Sequence, residues 1–179
     1  MTIPIEVKRA CVQAIGKSDL PLLRQLIDGN PEIQTDIGLL NMWLQFAVTK
    51  PIVMEYLVSI GADIHHSYVP GEPENLVYFA VNQDNREATE GLRWLLEQGA
   101  SPNHLVNGQV RCLALDSAAD NGNLEAVKLL VKHGADVDAY CFGWNGLSRA
   151  IEKNHSTIVR YLRSVGAKTP EEQGWKPSR

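Results

Sequence analysis

Residues 113–139, LALDSAADNGNLEAVKLLVKHGADVDA, carry the pattern that decides the architecture of the chain. A short stretch centred on Ala118 and Ala119 is followed by Asn121-Gly122, a turn pair in which both residues tolerate left-handed backbone. Beyond the turn, Leu124, Val127, Leu130 and Val131 recur at the i, i+3, i+4 spacing of a helix with one apolar face. Gly134 then ends that helix, with Lys132 and His133 in its last turn, where a left-handed cap and the helix dipole favour them. The unit predicted is therefore helix, tight turn, helix, and a single such pair cannot bury its own apolar face.

The pattern recurs. Gly61, Gly99, Gly134 and Gly166 each follow an apolar helical stretch, 38, 35 and 32 residues apart. The small residue inside the preceding helix gives an independent marker in Ala14, Ala47, Ala80, Ala118 and Ala150, spaced by 33, 33, 38 and 32. A small side chain is needed there because stacked units bring their first helices close together. Leu, Val and Ile at helical spacing, with Trp94 and Tyr161, are read as the seam between units.

Residues 113–139 resemble the ankyrin repeat, whose pattern has T-P-L-H-x-A and a 33-residue period. Leu115 takes the leucine place and Asp116 the histidine place, while Leu113-Ala114 stand where Thr-Pro would be, so the signature itself is degenerate. The resemblance implies an all-α solenoid of about five helix-turn-helix units joined by short hairpin-like loops. The units are expected at residues 4–30, 39–61, 73–99, 112–134 and 145–166, in one domain over 1–168 with a tail at 169–179. Asn30-Pro31 is expected to close the first unit, asparagine replacing the capping glycine, and Pro51 to start the second helix of the second. The third unit carries extra length around residues 85–87, and Asn154 takes in the fifth the turn place that Gly122 has in the fourth. In the tail, Thr169-Pro170-Glu171-Glu172 reads as a cap and one acidic turn, with Trp175 placed to fold back over the last unit.

The composition, 44% hydrophobic and 21% charged in 179 residues, is that of an ordinary soluble globular chain and excludes collagen-like and disordered classes. No membrane-spanning run and no signal-peptide pattern occur, so an unexported, unanchored, cytoplasmic protein is expected. Cys11, Cys112 and Cys141 are odd in number and lack C-x-x-C spacing, which indicates neither a disulfide framework nor a zinc site. The net charge of -4 carries no basic patch of the kind that nucleic acid requires. Residues 1–90 hold 6 Lys/Arg against 12 Asp/Glu and residues 91–179 hold 11 against 9, so the acidity is local and could steer a basic partner.

No arrangement of side chains announces chemistry. His65 and His66 are adjacent and diverge, unlike the i, i+4 pair of a helical metal site. His104, His133 and His155 fall at unit ends or turns, and no nucleophile elbow, phosphate loop, H-E-x-x-H or EF-hand pattern is present. No enzyme activity, cofactor or metal is expected.

Binding is expected instead. The ankyrin resemblance implies a concave face built from the inter-unit loops and the exposed positions of the first helices. The loop candidates are Tyr68, Glu72 and Glu74; Asn107, whose pairing with Gly108 is a tight-turn signal, with Arg111; and Tyr140, Phe142 and Trp144, which alternation in an extended strand would put on one side. The first-helix candidates are Asn82, Gln83, Asp120, Asn121, Glu152 and Lys153, joined by Lys50. The chain is similar to stand-alone bacterial ankyrin proteins, including immunity proteins that block a cognate secreted toxin. That likeness implies occlusion of one protein, such as a basic toxin domain, by a chain that is monomeric when free, with no nucleic acid or membrane involved. A scaffold, adaptor or host-directed effector is the alternative.

Overall fold

The computed structural model describes residues 3–66, 76–83, 86–106, 109–111, 113–141 and 143–176, with backbone alone for 86–87, 104–106 and 109–111. Among these, ten α-helices follow one another in pairs: α1 (Ile5–Lys17) and α2 (Leu20–Asp28), α3 (Ile37–Phe46) and α4 (Pro51–Ser59), α5 (Leu76–Val81) and α6 (Arg86–Glu97), α7 (Leu113–Asp120) and α8 (Leu124–Lys132), α9 (Gly146–Glu152) and α10 (Ser156–Ser164). A 3-10 turn, Pro31–Thr35, joins the first pair to the second. Two three-residue strands, β1 (His104–Val106) and β2 (Gln109–Arg111), pair antiparallel on either side of residues 107–108. The Asn107-Gly108 turn itself lies outside the described residues.

The pairs stack in two layers. First helices meet first helices, α1 on α3, α5 on α7 and α7 on α9, and second helices meet second helices, α4 on α6, α6 on α8 and α8 on α10. Ala14, Ala47, Ala80, Ala118 and Ala150 are all fully buried at these junctions, as the recurring small residue required. The apolar residues form one continuous core along the stack, with Trp94 and Tyr161 partly buried against it.

The local signals act as chemistry dictates. Gly61, Gly99, Gly134 and Gly166 all have positive φ after their helices, and Asn154 (φ 60°) shares the left-handed turn conformation of Gly122 (φ 73°). Pro51 opens α4, Asp19 caps α2, Asp36 caps α3 and Asn123 caps α8. Asn30 departs from expectation. Its backbone is extended (φ −139°), and it serves the end of α2 through its side chain, whose Nδ2 donates to the Leu26 carbonyl at 2.8 Å. A side-chain amide supplies here what a left-handed backbone supplies elsewhere.

Contacts between successive pairs repeat with the sequence period. The Arg24 guanidinium lies 5.0 Å from the Tyr56 ring, Arg93 bonds Glu125 at 2.8 Å, and Lys128 lies 5.8 Å from the Tyr161 ring. On the loop side, Asn103 donates to the Gly134 carbonyl and accepts from the Asp136 amide, while Asn145 donates to the Lys168 carbonyl. Asn145 is fully buried and also forms a reciprocal cap with Ser148 at the start of α9.

The tail folds back. Thr169 and Glu172 cap one turn reciprocally, and the Trp175 ring packs against Gly143 so closely that a Cβ there would clash with its ring carbons. Arg163 grips both carboxylate oxygens of Glu172, holding its pKa down at about 2; the hydrogen bond to Arg163 is the main cause and the Thr169 amide the next. A lowered folded pKa gives a contribution that is full above about 4.5 and is lost as pH falls toward 2. The protection factor of the Trp175 amide, bonded to the Pro170 carbonyl, should therefore fall over that acid window before those of the second-helix layer do. A protection factor that is constant across the window would show that the tail is held without this pair.

Candidate functional site

The first helices α5, α7 and α9 leave between them an open groove of about 480 Å³. Tyr78 and Asn82 contribute from α5 and the turn after it, Asp116, Ser117 and Asp120 from α7, and Arg149 and Lys153 from α9 and its end. Asn121, Leu113, Cys141 and Trp144 complete the wall. All three helices belong to one layer of a continuous stack.

One end of the groove is built by a tight reversal. Cys141 and Trp144 exchange both backbone hydrogen bonds, at 2.8 and 3.0 Å, around Gly143 in a left-handed conformation (φ 80°). The chain therefore turns back where an extended strand was expected, so alternation does not place Tyr140 and Trp144 on a common side. Tyr140 is exposed outside the groove wall, while Trp144 is half-buried within it, its ring 4.4 Å from the Arg149 guanidinium. Arg149 also reaches Glu152 at 3.3 Å, so the indole face is braced by a cation that is itself held.

The groove carries both signs of charge. Lys153 lies 3.7 Å from Asp120 across the α7–α9 junction. Asp116 sits deeper, and one of its carboxylate oxygens is buried without a hydrogen-bond partner. Burial pushes its pKa up to about 7, against the opposing pull of Arg149 and the Gly146 amide. Near neutral pH this group thus both donates and accepts, which suits it to read hydrogen-bonding groups brought into the groove.

Of the residues expected from sequence to form a binding face, Asn82, Asp120, Asn121, Trp144 and Lys153 come together here. Gln83 and Glu152 are exposed outside the lining set, and Lys50 caps α4 instead of continuing a first helix. Tyr68, Glu72, Glu74, Asn107 and Phe142 lie outside the described residues, as does the side chain of Arg111. The structure adds Tyr78, Asp116, Ser117 and Arg149. Their signal was present: each stands three or four residues from a candidate already on the same helix or its end, the spacing that shares a face. His155 falls at a turn by sequence, and its Nε2 lies 3.0 Å from the Asp120 carbonyl while its ring covers Gly122, so it locks the turn that borders the groove.

Among the described residues no group of three metal-ligating side chains occurs and no helix is long and apolar enough to cross a membrane. Cys11 is fully buried and its thiol is pushed up to about 11 by that burial, which disfavours the thiolate.

A family model described as ankyrin repeats (3 copies) matches residues 44–141 and 77–173. The chain is 42% identical over 86 residues to the Notch-regulated ankyrin repeat-containing protein of Homo sapiens, covering 46% of this chain and 73% of that protein. It is 39% identical over 93 residues to Notch-regulated ankyrin repeat-containing protein A of Danio rerio, covering 50% of this chain and 80% of the relative. It is also 49% identical over 55 residues to protein phosphatase 1 regulatory subunit 27 of Homo sapiens, a match covering 30% of this chain and 36% of that protein's length.

Proposed function

From the chain's membership of the ankyrin-repeat family, we propose that it is a non-catalytic binding module that holds a segment of one partner protein in the groove between α5, α7 and α9. The observation that carries this is the Arg149-braced, half-buried indole of Trp144 beside paired and unpaired polar groups of the first helices. A partly buried aromatic anchor is how protein interfaces concentrate their binding energy. Asn82, Asp120, Asn121, Trp144 and Lys153 would contact the partner, with residues 1–168 acting as one domain.

A photo-crosslinking residue at Asn121, in the groove, compared with one at Glu55 on the exposed side of α4, tests the reading in cells. One protein should be captured at position 121 alone. Trp144→Ala should weaken its binding by about 2 kcal/mol, or about thirtyfold in Kd. Identical adducts at both positions, or binding indifferent to Trp144→Ala, would sink the proposal.

Occupying the groove with one partner would make the protein an inhibitor by occlusion, and the acidic front half would favour a basic partner. Neutralisation of a secreted bacterial toxin is a narrower form of this reading; none of the relatives named above points to it. An adaptor role predicts several weaker partners and little loss on Trp144→Ala.

A further inference from the structure

A second cleft, of about 390 Å³, opens between α1 and α3, at the other end of the first-helix layer. Its apolar surface comes from Ile5, Val12 and Met42 over the buried Trp43, and its charges are Lys8 and Arg9. Ile5 is 56% exposed and Val12 39%, although both stand beside a core they could have joined. Ile5, Arg9 and Val12 lie on one stripe of α1 by their spacing, and Phe46, 56% exposed, continues the face of α3 four residues beyond Met42. Trp43 is fully buried, and its Nε1–H has no acceptor among the described residues. A buried indole donor normally finds one.

Three independent features thus agree: apolar surface left in water, two cations with no carboxylate in the lining, and a donor lacking an acceptor. We propose that this cleft is a second docking surface, whose occupant is a partner's peptide segment that presents an aliphatic or aromatic side chain next to a carboxylate. The apolar side chain would cover Ile5, Val12 and Met42, and the carboxylate would meet Lys8 and Arg9. The chemistry is the reverse of the groove at α5, α7 and α9, where carboxylates and cations are mixed around an aromatic ring. The two surfaces are therefore separable by mutation.

The test uses the full chain, immobilised and screened with a random-peptide library, with counter-selection on the Val12→Glu chain. Recovered peptides should pair Leu, Phe or Trp with Asp or Glu, and their binding should weaken with salt. Lys8→Glu together with Arg9→Glu should weaken it by about thirtyfold while leaving the melting temperature unchanged, since both side chains lie outside the core. Trp144→Ala should leave it unaffected. In a proton–nitrogen NMR spectrum the Trp43 indole resonance should move downfield on peptide addition, a change that a merely structural role of the two cations would not produce. The proposal is overturned if no peptide survives counter-selection, if the survivors lack carboxylates, or if the double variant binds as well as the parent. Peptide binding lost on Trp144→Ala would assign the peptide to the other groove. Concentration-dependent dimers abolished by Val12→Glu would assign the face to a second copy of the chain; either result overturns the proposal as well.

Discussion

Gly91→Ala is expected to destabilise the fold by about 3 kcal/mol, read as a melting temperature lower by about 10 °C. In a helix interior this substitution ordinarily stabilises, by up to about 1 kcal/mol. The sign reverses here because Gly91 of α6 lies directly against the turn after α3. A Cβ would clash with the Val48 carbonyl oxygen and stand 3.0 Å from its carbon and 3.1 Å from the Thr49 Cα. These are backbone atoms, so no rotamer change relieves the contact, and α6 must move away from the second pair. Gly16→Ala, at the end of α1 with open space around it, is the matched control and should be neutral or mildly stabilising. Equal melting of the two variants would refute the close approach.

The second large effect is on pH dependence. Asp116 carries a carboxyl whose folded pKa, about 7, stands above its ordinary value of 3.8 because burial penalises the anion. Between those values the folded chain keeps a proton that the unfolded chain has released, so stability falls as pH rises. The contribution is full below about 4 and gone above about 7, with a span of about 2–4 kcal/mol, reduced by the solvent that reaches the groove. Asp116→Asn keeps the acceptor for the Gly146 amide and removes the ionisation. It should melt about 5–10 °C above the parent at pH 8 and close to it below about pH 4. A difference independent of pH would show that the carboxyl is not the cause.

The fold was legible because its signals are local. Alanine at one place per unit, left-handed glycine after four of the five second helices and proline at the start of α4 each state a steric requirement that holds whatever the tertiary context. The groove was legible in part. Asn82, Asp120, Asn121 and Lys153 could be placed by counting from those signals, whereas Asp116 was assigned to a motif position and left without a task. The groups that act on it, Arg149 and the Gly146 amide, belong to α9, about 30 residues away, and counting within one unit does not show that. The reversal at Cys141–Trp144 was missed for a related reason. Tyr, Cys, Phe and Trp read as strand formers by propensity, while the single Gly143 permits the turn that the Trp175 ring then fills. Asn145 and His155 bond partners 23 and 35 residues distant, so their tasks exist only once the pairs are stacked.

Among the described residues, several such bonds tie the last two pairs together. The His155–Asp120, Lys153–Asp120, Asn145–Lys168 and Lys168–Asp138 links and the returning tail all belong to the last two pairs. In a one-dimensional array each unit's stability is its own plus its coupling to neighbours. A bond that ties the last two pairs together ties their opening together, and α7 and α9, two of the three helices that line the groove, open with them.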